Sequence, residues 1–221
     1  MNHKRRDISA MITAMDDAVG DVVQAYKDYG FWNNTVVIFS SDNGGKPKDG
    51  GSNYPLRGGK GNHFEGGVRS VGWINSPLMP ESKRGTIANH LMHVTDWMPT
   101  LMDIAQCKPK AGSKPLDGFS QADAFFTESS NPDQYEIRNE ILHTLDPLTV
   151  TQETDKRGDW KQSGEILNKR CFNIQVKAVL RFGPWKIMTG KDIREFKHAD
   201  WSYPKDQLYP GARNRLLVYE S

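Results

Sequence analysis

The glycine-rich residues 36–70 contain the side chains best suited to chemistry. An apolar run there leads into Ser41, Asp42 and Asn43, and nine of the chain's 20 glycines fall within the 28 residues 42–69. The carboxylate of Asp42 and the amide oxygen of Asn43 are hard ligands of the kind that Ca²⁺ or Mg²⁺ prefers. An Asx turn leading into the glycines explains the same two residues, so both interpretations stay open at this point.

Lys60 is the candidate anion ligand of this segment. It lies within an Arg-Gly-Gly-Lys-Gly sequence, where glycine lets the backbone approach a ligand closely. A solvated loop lysine is the alternative. His63 is a candidate for lining the same pocket, or else an exposed loop histidine, and ion pairs among Arg57, Glu65 and Arg69 are expected to fix the loop.

The other histidines and the known motifs give no second centre. His90 and His93 are predicted to pack or to cap a helix, because no third metal ligand has a suitable spacing. The sequence contains no Gly-x-Ser-x-Gly, P-loop, His-Glu-x-x-His or Cys-x-x-Cys segment. If the chain is an enzyme, its nucleophile therefore lies elsewhere.

Two cysteines and one sequon give little information about the compartment. Cys107 and Cys171 are compatible with a disulfide or with two free thiols. Asn33 begins an Asn-Asn-Thr sequon, which permits N-glycosylation in a secretory protein.

Length and charge bound the function classes. A chain of 221 residues fits one large domain or a domain with a smaller companion. Its 29 basic residues nearly balance its 27 acidic ones, which leaves no global electrostatic case for nucleic acid or anionic lipid. No run approaches the ~20 apolar residues of a membrane span, and no apolar signal-peptide segment follows Met1.

The glycine-rich segment is predicted to follow a helix and a strand. Apolar residues recur at spacings of three and four over residues 8–26, which predicts an amphipathic helix ending near Gly30. Residues 35–39 predict a short buried strand. Asp42 and Asn43 then lie beyond the carboxyl end of a strand, where open α/β sheets place their ligands. Residues 68–74 predict a second strand, and Thr95-Asp96 predicts a helix start.

The last third of the chain has a different pattern. Residues 141–145 predict a strand, residues 176–189 an antiparallel hairpin around Gly183-Pro184, and residues 216–219 a further strand. Residues 149–170 are polar enough for a long surface loop. We therefore predict an α/β part over residues 1–135 and a small antiparallel α+β part over residues 136–221.

Several segments together resemble the sulfatase family, and most closely its arylsulfatase B group. The most specific are Asp-Asn-Gly-Gly, Asn-Tyr-Pro-Leu-Arg-Gly-Gly-Lys and Glu-Gly-Gly-Val-Arg, at residues 42–45, 53–60 and 65–69. Weaker matches at residues 15–20, 32–35, 93–100, 114–119 and 183–186 extend the resemblance along most of the chain.

The resemblance implies an alkaline-phosphatase-like α/β sandwich, incomplete here, with a small antiparallel domain at its carboxyl end. It implies hydrolysis of sulfate esters, either of N-acetylgalactosamine in glycosaminoglycans or of aryl sulfates. Asp42 and Asn43 correspond to ligands of one Ca²⁺ ion, and Lys60 to a catalytic contact with a sulfate oxygen, with His63 beside the substrate. A lysosomal or secreted location follows, with Asn33 glycosylated.

The sequence also departs from the family. Its members carry a second pair of metal-binding Asp residues and a Cys-x-Pro-Ser-Arg segment whose Cys becomes formylglycine, and neither occurs here. Cys107 is followed by Lys-Pro-Lys and Cys171 by Phe-Asn-Ile. Phe64 stands where the family usually has Trp, and residues 60–63 differ from the bulkier family pattern, so the substrate preference stays open.

We therefore expect a carboxyl-terminal portion that is inactive alone and that aggregates through unpaired strand edges and exposed apolar surface. Two alternatives remain: a phosphate-ester hydrolase of the same superfamily, and a noncatalytic module that binds sulfated glycans through Lys60 and Arg57.

Overall fold

One long helix, three short α-helices and antiparallel strands are found in the structure, a computed structural model that describes residues 3–128, 137–146, 177–189 and 217–220. The helices are α1 (His3–Asp28), α2 (Glu65–Val68), α3 (Trp97–Ile104) and α4 (Ala122–Phe126). The strands are β1 (Val37–Ser40), β2 (Gly72–Asn75), β3 (Glu140–Asp146), β4 (Lys177–Phe182), β5 (Trp185–Thr189) and β6 (Leu217–Glu220).

The chain divides into two units. The first consists of residues 1–9, 41–71 and 140–221, and the second of residues 10–40 and 72–139. The glycine-rich segment and the carboxyl-terminal strands therefore share one unit. The domain boundary between residues 135 and 136 stays a prediction.

Helix α1 confirms the predicted amphipathic helix, but its apolar stripe is exposed. None of its residues is buried, and Met11 and Val22 are 63% and 57% exposed. The helix could therefore be predicted from its own residues. A 3.6-residue apolar period and many helix-favouring side chains are properties of the local sequence and do not depend on a packing partner. No described helix is long and apolar enough to cross a membrane.

Strand β1 is half-buried, so the prediction of a buried strand was wrong. Among the described residues it pairs only with β2, antiparallel, from Val37↔Asn75 to Ser40↔Gly72. Phe39 stacks on Trp73 with ring centroids 5.6 Å apart. A strand with one neighbour keeps one edge unpaired, and this accounts for its partial exposure.

The second predicted strand begins later than residue 68. The N–H of Val68 donates to the carbonyl of Phe64 at 3.2 Å, and the N–H of Arg69 donates to that of Glu65 at 2.8 Å. These helical hydrogen bonds close α2 over the residues that the apolar pattern assigned to the strand, so β2 starts only at Gly72.

The carboxyl-terminal strands form a four-stranded antiparallel sheet in the order β3-β4-β5-β6. Strands β3 and β6 and the hairpin β4–β5 confirm the sequence predictions, with Gly183 at the turn and a φ of +53°. Phe64 from the glycine-rich segment packs into this sheet in a cluster with Val179 and Met188. The predicted loop over residues 149–170 lies outside the described residues.

A buried carboxylate, Asp96, organises the second unit. It is fully buried and accepts hydrogen bonds from the N–H groups of His93 and Phe119 at 2.8 and 2.9 Å. Arg138 donates to both of its oxygens, at 2.9 and 2.6 Å. His93 also caps the turn before α3, which confirms its predicted capping role. His90 packs against Phe125, as predicted.

The environment of Asp96 sets its titration. Burial raises the pKa of this carboxyl, but the hydrogen bonds from Arg138, His93 and Phe119 outweigh burial and hold the pKa below its ordinary value of 3.8. Stabilisation by Asp96 is therefore present above that ordinary value and is lost as the pH falls through the lowered one.

Substitution of Asp96 by Asn should destabilise the second unit by about 3–5 kcal/mol, because it leaves Arg138 half-buried without its charged partner. Urea unfolding at neutral pH measures the loss, which should shrink below pH 4. Asp103→Asn, at an exposed position of α3, is the matched control and should be near neutral. Equal effects of the two substitutions would contradict the assignment.

The exposed stripe of α1 should drive self-association of the isolated chain. Met11→Gln combined with Val22→Gln should raise the monomer fraction in size-exclusion chromatography. The double substitution removes exposed apolar surface through which two copies of the chain would associate. Ala14→Gln with Ala25→Gln, on exposed positions off the stripe, should change little. A concentration-independent monomer of the unaltered chain would contradict this expectation.

Candidate functional site

Asp42 and Asn43 follow β1 in a turn that the backbone of α2 holds. Asp42 is exposed and Asn43 is half-buried. The Ser41 hydroxyl donates to the Asn43 carbonyl at 2.8 Å, and the Asn43 Nδ2 donates to the Gly44 carbonyl at 2.9 Å. The N–H of Gly44 donates to the Gly67 carbonyl at 2.9 Å.

This arrangement decides against the Asx turn. Such a turn would direct the side-chain oxygens of Asp42 and Asn43 to the N–H groups two residues later. Those N–H groups, of Gly44 and Gly45, instead donate to the Gly67 carbonyl and to the Asn53 side chain. The described geometry therefore does not use the Asp42 and Asn43 oxygens for that turn.

Asn53 joins the two halves of the glycine-rich segment. Its Oδ1 accepts from the Gly45 N–H at 2.7 Å, and its Nδ2 donates to the carbonyls of Gly45 and Gly58, both at 2.9 Å. One side-chain amide thus satisfies three backbone groups. It fixes the turn after Asn43 against the turn before Lys60.

Close backbone contact explains part of the glycine content. A Cβ atom on Gly44 would overlap the Gly66 carbonyl, and one on Gly67 would overlap the carbonyls of Asn62 and Gly59. The backbone segments of this loop cluster therefore approach one another at distances that only glycine permits.

Lys60 lies in the same cluster as Asp42 and Asn43. Its N–H donates to the Gly45 carbonyl at 3.1 Å, and its side chain is exposed. This hydrogen bond fixes the backbone of Lys60 to Gly45, only two residues after Asn43, although a long loop separates Lys60 from Asn43 in the sequence. An acid, an amide and an ammonium on one fixed loop cluster form a set that can bind a cation and an anion side by side.

His63 is held by its backbone. It is half-buried, and its carbonyl accepts a hydrogen bond from the Nζ of Lys186 at 3.0 Å. Its predicted place beside a substrate stays a prediction.

Glu65 forms ion pairs with residues far along the chain, so the prediction of pairs with Arg57 and Arg69 was wrong. Its Oε2 accepts from Arg181 at 2.8 Å, and its Oε1 accepts from Lys186. The predicted partner Arg57 instead places its guanidinium over the Phe64 ring, 4.2 Å from the centroid. Local spacing pointed to nearby cations, whereas the sheet supplies distant ones.

The two cations control the titration of Glu65. Burial raises the pKa of this carboxyl, but the charges and hydrogen bonds of Lys186 and Arg181 outweigh it and hold the pKa below 4.5. The carboxylate is therefore ionised at neutral pH, which is the state that bridges both cations.

Sequence reasoning missed Lys186 as a residue of this region. The Gly-Pro-Trp-Lys segment at residues 183–186 was noted only as part of the family resemblance. A lysine facing inward on a hairpin, 2% exposed, signals a buried partner, because an unpaired ammonium is rarely buried.

The donor set fits a part of a calcium site. Asp42 and Asn43 offer two hard oxygen ligands, whereas Ca²⁺ takes six to eight oxygens. Among the described residues no three His, Cys, Asp or Glu side chains group closely enough to hold a metal. A complete site therefore requires oxygens from water or from protein beyond these two residues.

The two remaining candidates lie apart from the loop cluster in sequence. Asn33 is exposed in the turn Trp32–Asn34, an accessible setting for its sequon. Cys107 is exposed and free, and Cys171 lies outside the described residues.

Comparisons with known proteins identify relatives of this chain. A family model described as Sulfatase matches residues 2–107. Mouse arylsulfatase J (Mus musculus) is 37% identical over 205 residues, which are 93% of this chain and 31% of that protein. Rat N-acetylgalactosamine-6-sulfatase (Rattus norvegicus) is 33% identical over 113 residues, 48% of this chain and 21% of that protein.

A solved structure is similar as well. The crystal structure of Ps i-CgsB superposes with a TM-score of 0.60 and 28% identity, over 86% of this chain and 35% of that one. The chain thus spans about a third of the length of arylsulfatase J, at 31%. Residues 2–107 therefore belong to the sulfatase family by the family model, and 93% of the chain is similar to arylsulfatase J.

Proposed function

We propose that this chain supplies one side of the active site of a sulfuric ester hydrolase of the arylsulfatase type. One observation carries the proposal: the hydrogen bonds of Lys60 to Gly45 and of Gly44 to Gly67 hold the lysine and the Asp42-Asn43 pair in one cluster. A sulfate ester presents anionic oxygens, and this cluster offers both an ammonium and hard metal ligands to them.

In the proposed reaction, Lys60 binds a sulfate oxygen and stabilises the charge that develops as the ester bond breaks. Its flexible side chain projects from a backbone that is fixed, so the ammonium is delivered to a defined region. Asp42 and Asn43 would hold part of the coordination shell of one Ca²⁺ ion, which supplies Lewis-acid polarisation of the sulfate when bound.

The nucleophile is proposed to come from outside these 221 residues, because neither cysteine has the Cys-x-Pro-Ser-Arg context of the family's formylglycine. The chain by itself should therefore bind without turning over its ester. An alkaline-phosphatase-like sandwich, with the carboxyl-terminal sheet as its smaller part, is the proposed setting.

Substrate and location follow from the relatives and are proposed with the activity. A sulfate ester of N-acetylgalactosamine in a glycosaminoglycan, or an aryl sulfate, is the proposed substrate, with His63 beside it. A lysosomal or secreted location, with a glycan on the exposed Asn33, is the matching environment. Neither nucleic acid nor a membrane span is part of the proposal.

The noncatalytic alternative has one observation in its favour. Lys60 is exposed on a fixed loop, and the sequence holds no nucleophile motif. Such a surface can bind a sulfated polysaccharide by charge alone. Calcium-independent binding that Lys60→Ala abolishes is its distinguishing property.

A chimera tests the proposed function. This chain should replace the 205-residue segment of mouse arylsulfatase J to which it aligns, and the product should hydrolyse 4-methylumbelliferyl sulfate. Lys60→Ala should lower kcat by about 10²–10³-fold, because a donor to the developing charge is lost. The isolated chain should show no turnover.

Lys48→Ala, at an exposed lysine of the same segment, is the control and should leave kcat near that of the chimera. Equal kcat values for Lys60→Ala and Lys48→Ala would overturn the role of Lys60. Faster turnover of 4-methylumbelliferyl phosphate than of the sulfate would favour the phosphate-ester alternative.

A further inference from the structure

Lys186 is a buried cation that the proposed chemistry does not use. It is 2% exposed, and its Nζ donates to the His63 carbonyl at 3.0 Å and to the Glu65 carboxylate. Burying an ammonium costs several kcal/mol unless its charge and hydrogen bonds are matched. Both of its described hydrogen bonds go to the glycine-rich loop, so the lysine joins β5 to that loop.

Arg181 makes the arrangement dependent on Glu65. Arg181 and Lys186 are direct cross-strand partners on β4 and β5, and like charges in that position destabilise a hairpin. The two oxygens of Glu65 separate the two cations, one oxygen to each. The carboxylate of the loop is thus what lets the hairpin carry both cations.

Three consecutive loop residues are attached to the sheet in this way. His63 is held by its carbonyl, Phe64 is 4% exposed in a cluster with Val179 and Met188, and Glu65 is held by its carboxylate. A segment fixed at three successive residues has little freedom to shift along or away from the hairpin.

The attachment continues from residues 63–65 to the candidate site. The Asn62 Oδ1 accepts from the N–H of Phe64 at 3.2 Å and from that of Gly59 at 3.4 Å. Gly59 precedes Lys60, whose N–H donates to the Gly45 carbonyl. On the other side, Gly67 of α2 accepts from the Gly44 N–H. Both branches end beside Asp42, Asn43 and Lys60.

We infer that Lys186 and Glu65 are positioning residues for the sulfate-ester site: through the His63 carbonyl and α2 they hold Lys60 and the Asp42-Asn43 turn at a fixed separation. The inference rests on the proposed function for the identity of the site, and on the hydrogen bonds alone for the connection. Lys186 contacts no substrate in this scheme and acts only through the loop.

The charges around Glu65 support the assignment. The groups that face its carboxylate are Lys186 and Arg181, with His143 of β3 as a weaker third charge. Burial raises the pKa of Glu65, but these cations lower it by more, so the pKa lies below its ordinary value of 4.5. The bridge is therefore complete above that value and is lost as the pH falls through the lowered pKa.

Amide hydrogen exchange of the 221-residue chain tests the connection without any activity. Lys186→Met and Glu65→Gln should each speed exchange in residues 42–62, which include the bonded amides of Gly44 and Lys60, by about tenfold or more through local opening. Exchange in α3 of the second unit should not change. Lys110→Met, at an exposed position, is the control and should leave all segments as they are.

Two results would overturn the inference. One is unchanged exchange in residues 42–62 with both variants. The other is equal loss of protection in residues 177–189 with Lys186→Met, which leaves the Arg181–Glu65 pair in place, since Lys186 would then hold the hairpin together and not position the loop. The double variant Lys186→Met with Glu65→Gln should be no worse than the stronger single one, because the two residues act as one unit.

Kinetics of the arylsulfatase J chimera test the effect on the site. Lys186→Met should lower kcat/KM by about 10²-fold, as expected for a displaced catalytic group. In a Lys60→Ala background it should lower kcat/KM by a clearly smaller factor, because part of its effect passes through Lys60. Fully additive losses would overturn the positioning role. A chimera without any turnover would instead count against the proposed function, and the exchange result would still judge the connection.

Discussion

One carboxylate, that of Glu65, connects the glycine-rich loop to the carboxyl-terminal sheet, and the arrangement of the candidate site depends on it. Lys186 and Arg181 face each other across the hairpin, and neither is fully exposed to water. Removing Glu65 would leave two neighbouring cations with no counter-charge in a poorly solvated place. The sheet and the loop are thus mutually required within this unit.

The glycines follow from the same constraint. Once residues 63–65 are fixed to the sheet, α2 and the turns at Gly44 and Gly59 must pass one another at backbone distance. A Cβ atom at Gly44 or Gly67 would meet a carbonyl oxygen there. Glycine loses more conformational entropy on folding than other residues do. Asn53 offsets part of that cost by satisfying three backbone groups with one side chain. The turns of the loop are therefore joined by hydrogen bonds despite its glycine-rich composition.

Elements with local causes could be predicted from the sequence. Helix α1 follows from its apolar period, and the hairpin β4–β5 follows from two β-favouring runs around Gly183-Pro184. The capping role of His93 follows from its place before a helix start. The extra turn of helix at α2 was missed, because hydrogen bonds from Val68 and Arg69 to the preceding turn outweigh an apolar pattern that reads as a strand.

Features that depend on distant residues could not be predicted in this way. The half-burial of β1 depends on how many strands lie beside it, and the residues of β1 alone do not determine that number. The partners of Glu65 lie 116 and 121 residues along the chain, so local spacing favoured Arg57 and Arg69. The family resemblance joined Asp42, Asn43 and Lys60 as candidate site residues, and the hydrogen bonds through Gly45 and Asn53 give the closeness of their backbones a physical basis.

The central claim is that Lys60 and the Asp42-Asn43 turn together bind a sulfate group. The inhibition constant of inorganic sulfate, measured for the arylsulfatase J chimera with and without calcium, tests it most directly. The account predicts that sulfate inhibits more strongly with calcium present, and that Lys60→Ala and Asp42→Asn each weaken the inhibition. Inhibition that is independent of calcium and unchanged by either substitution would contradict it.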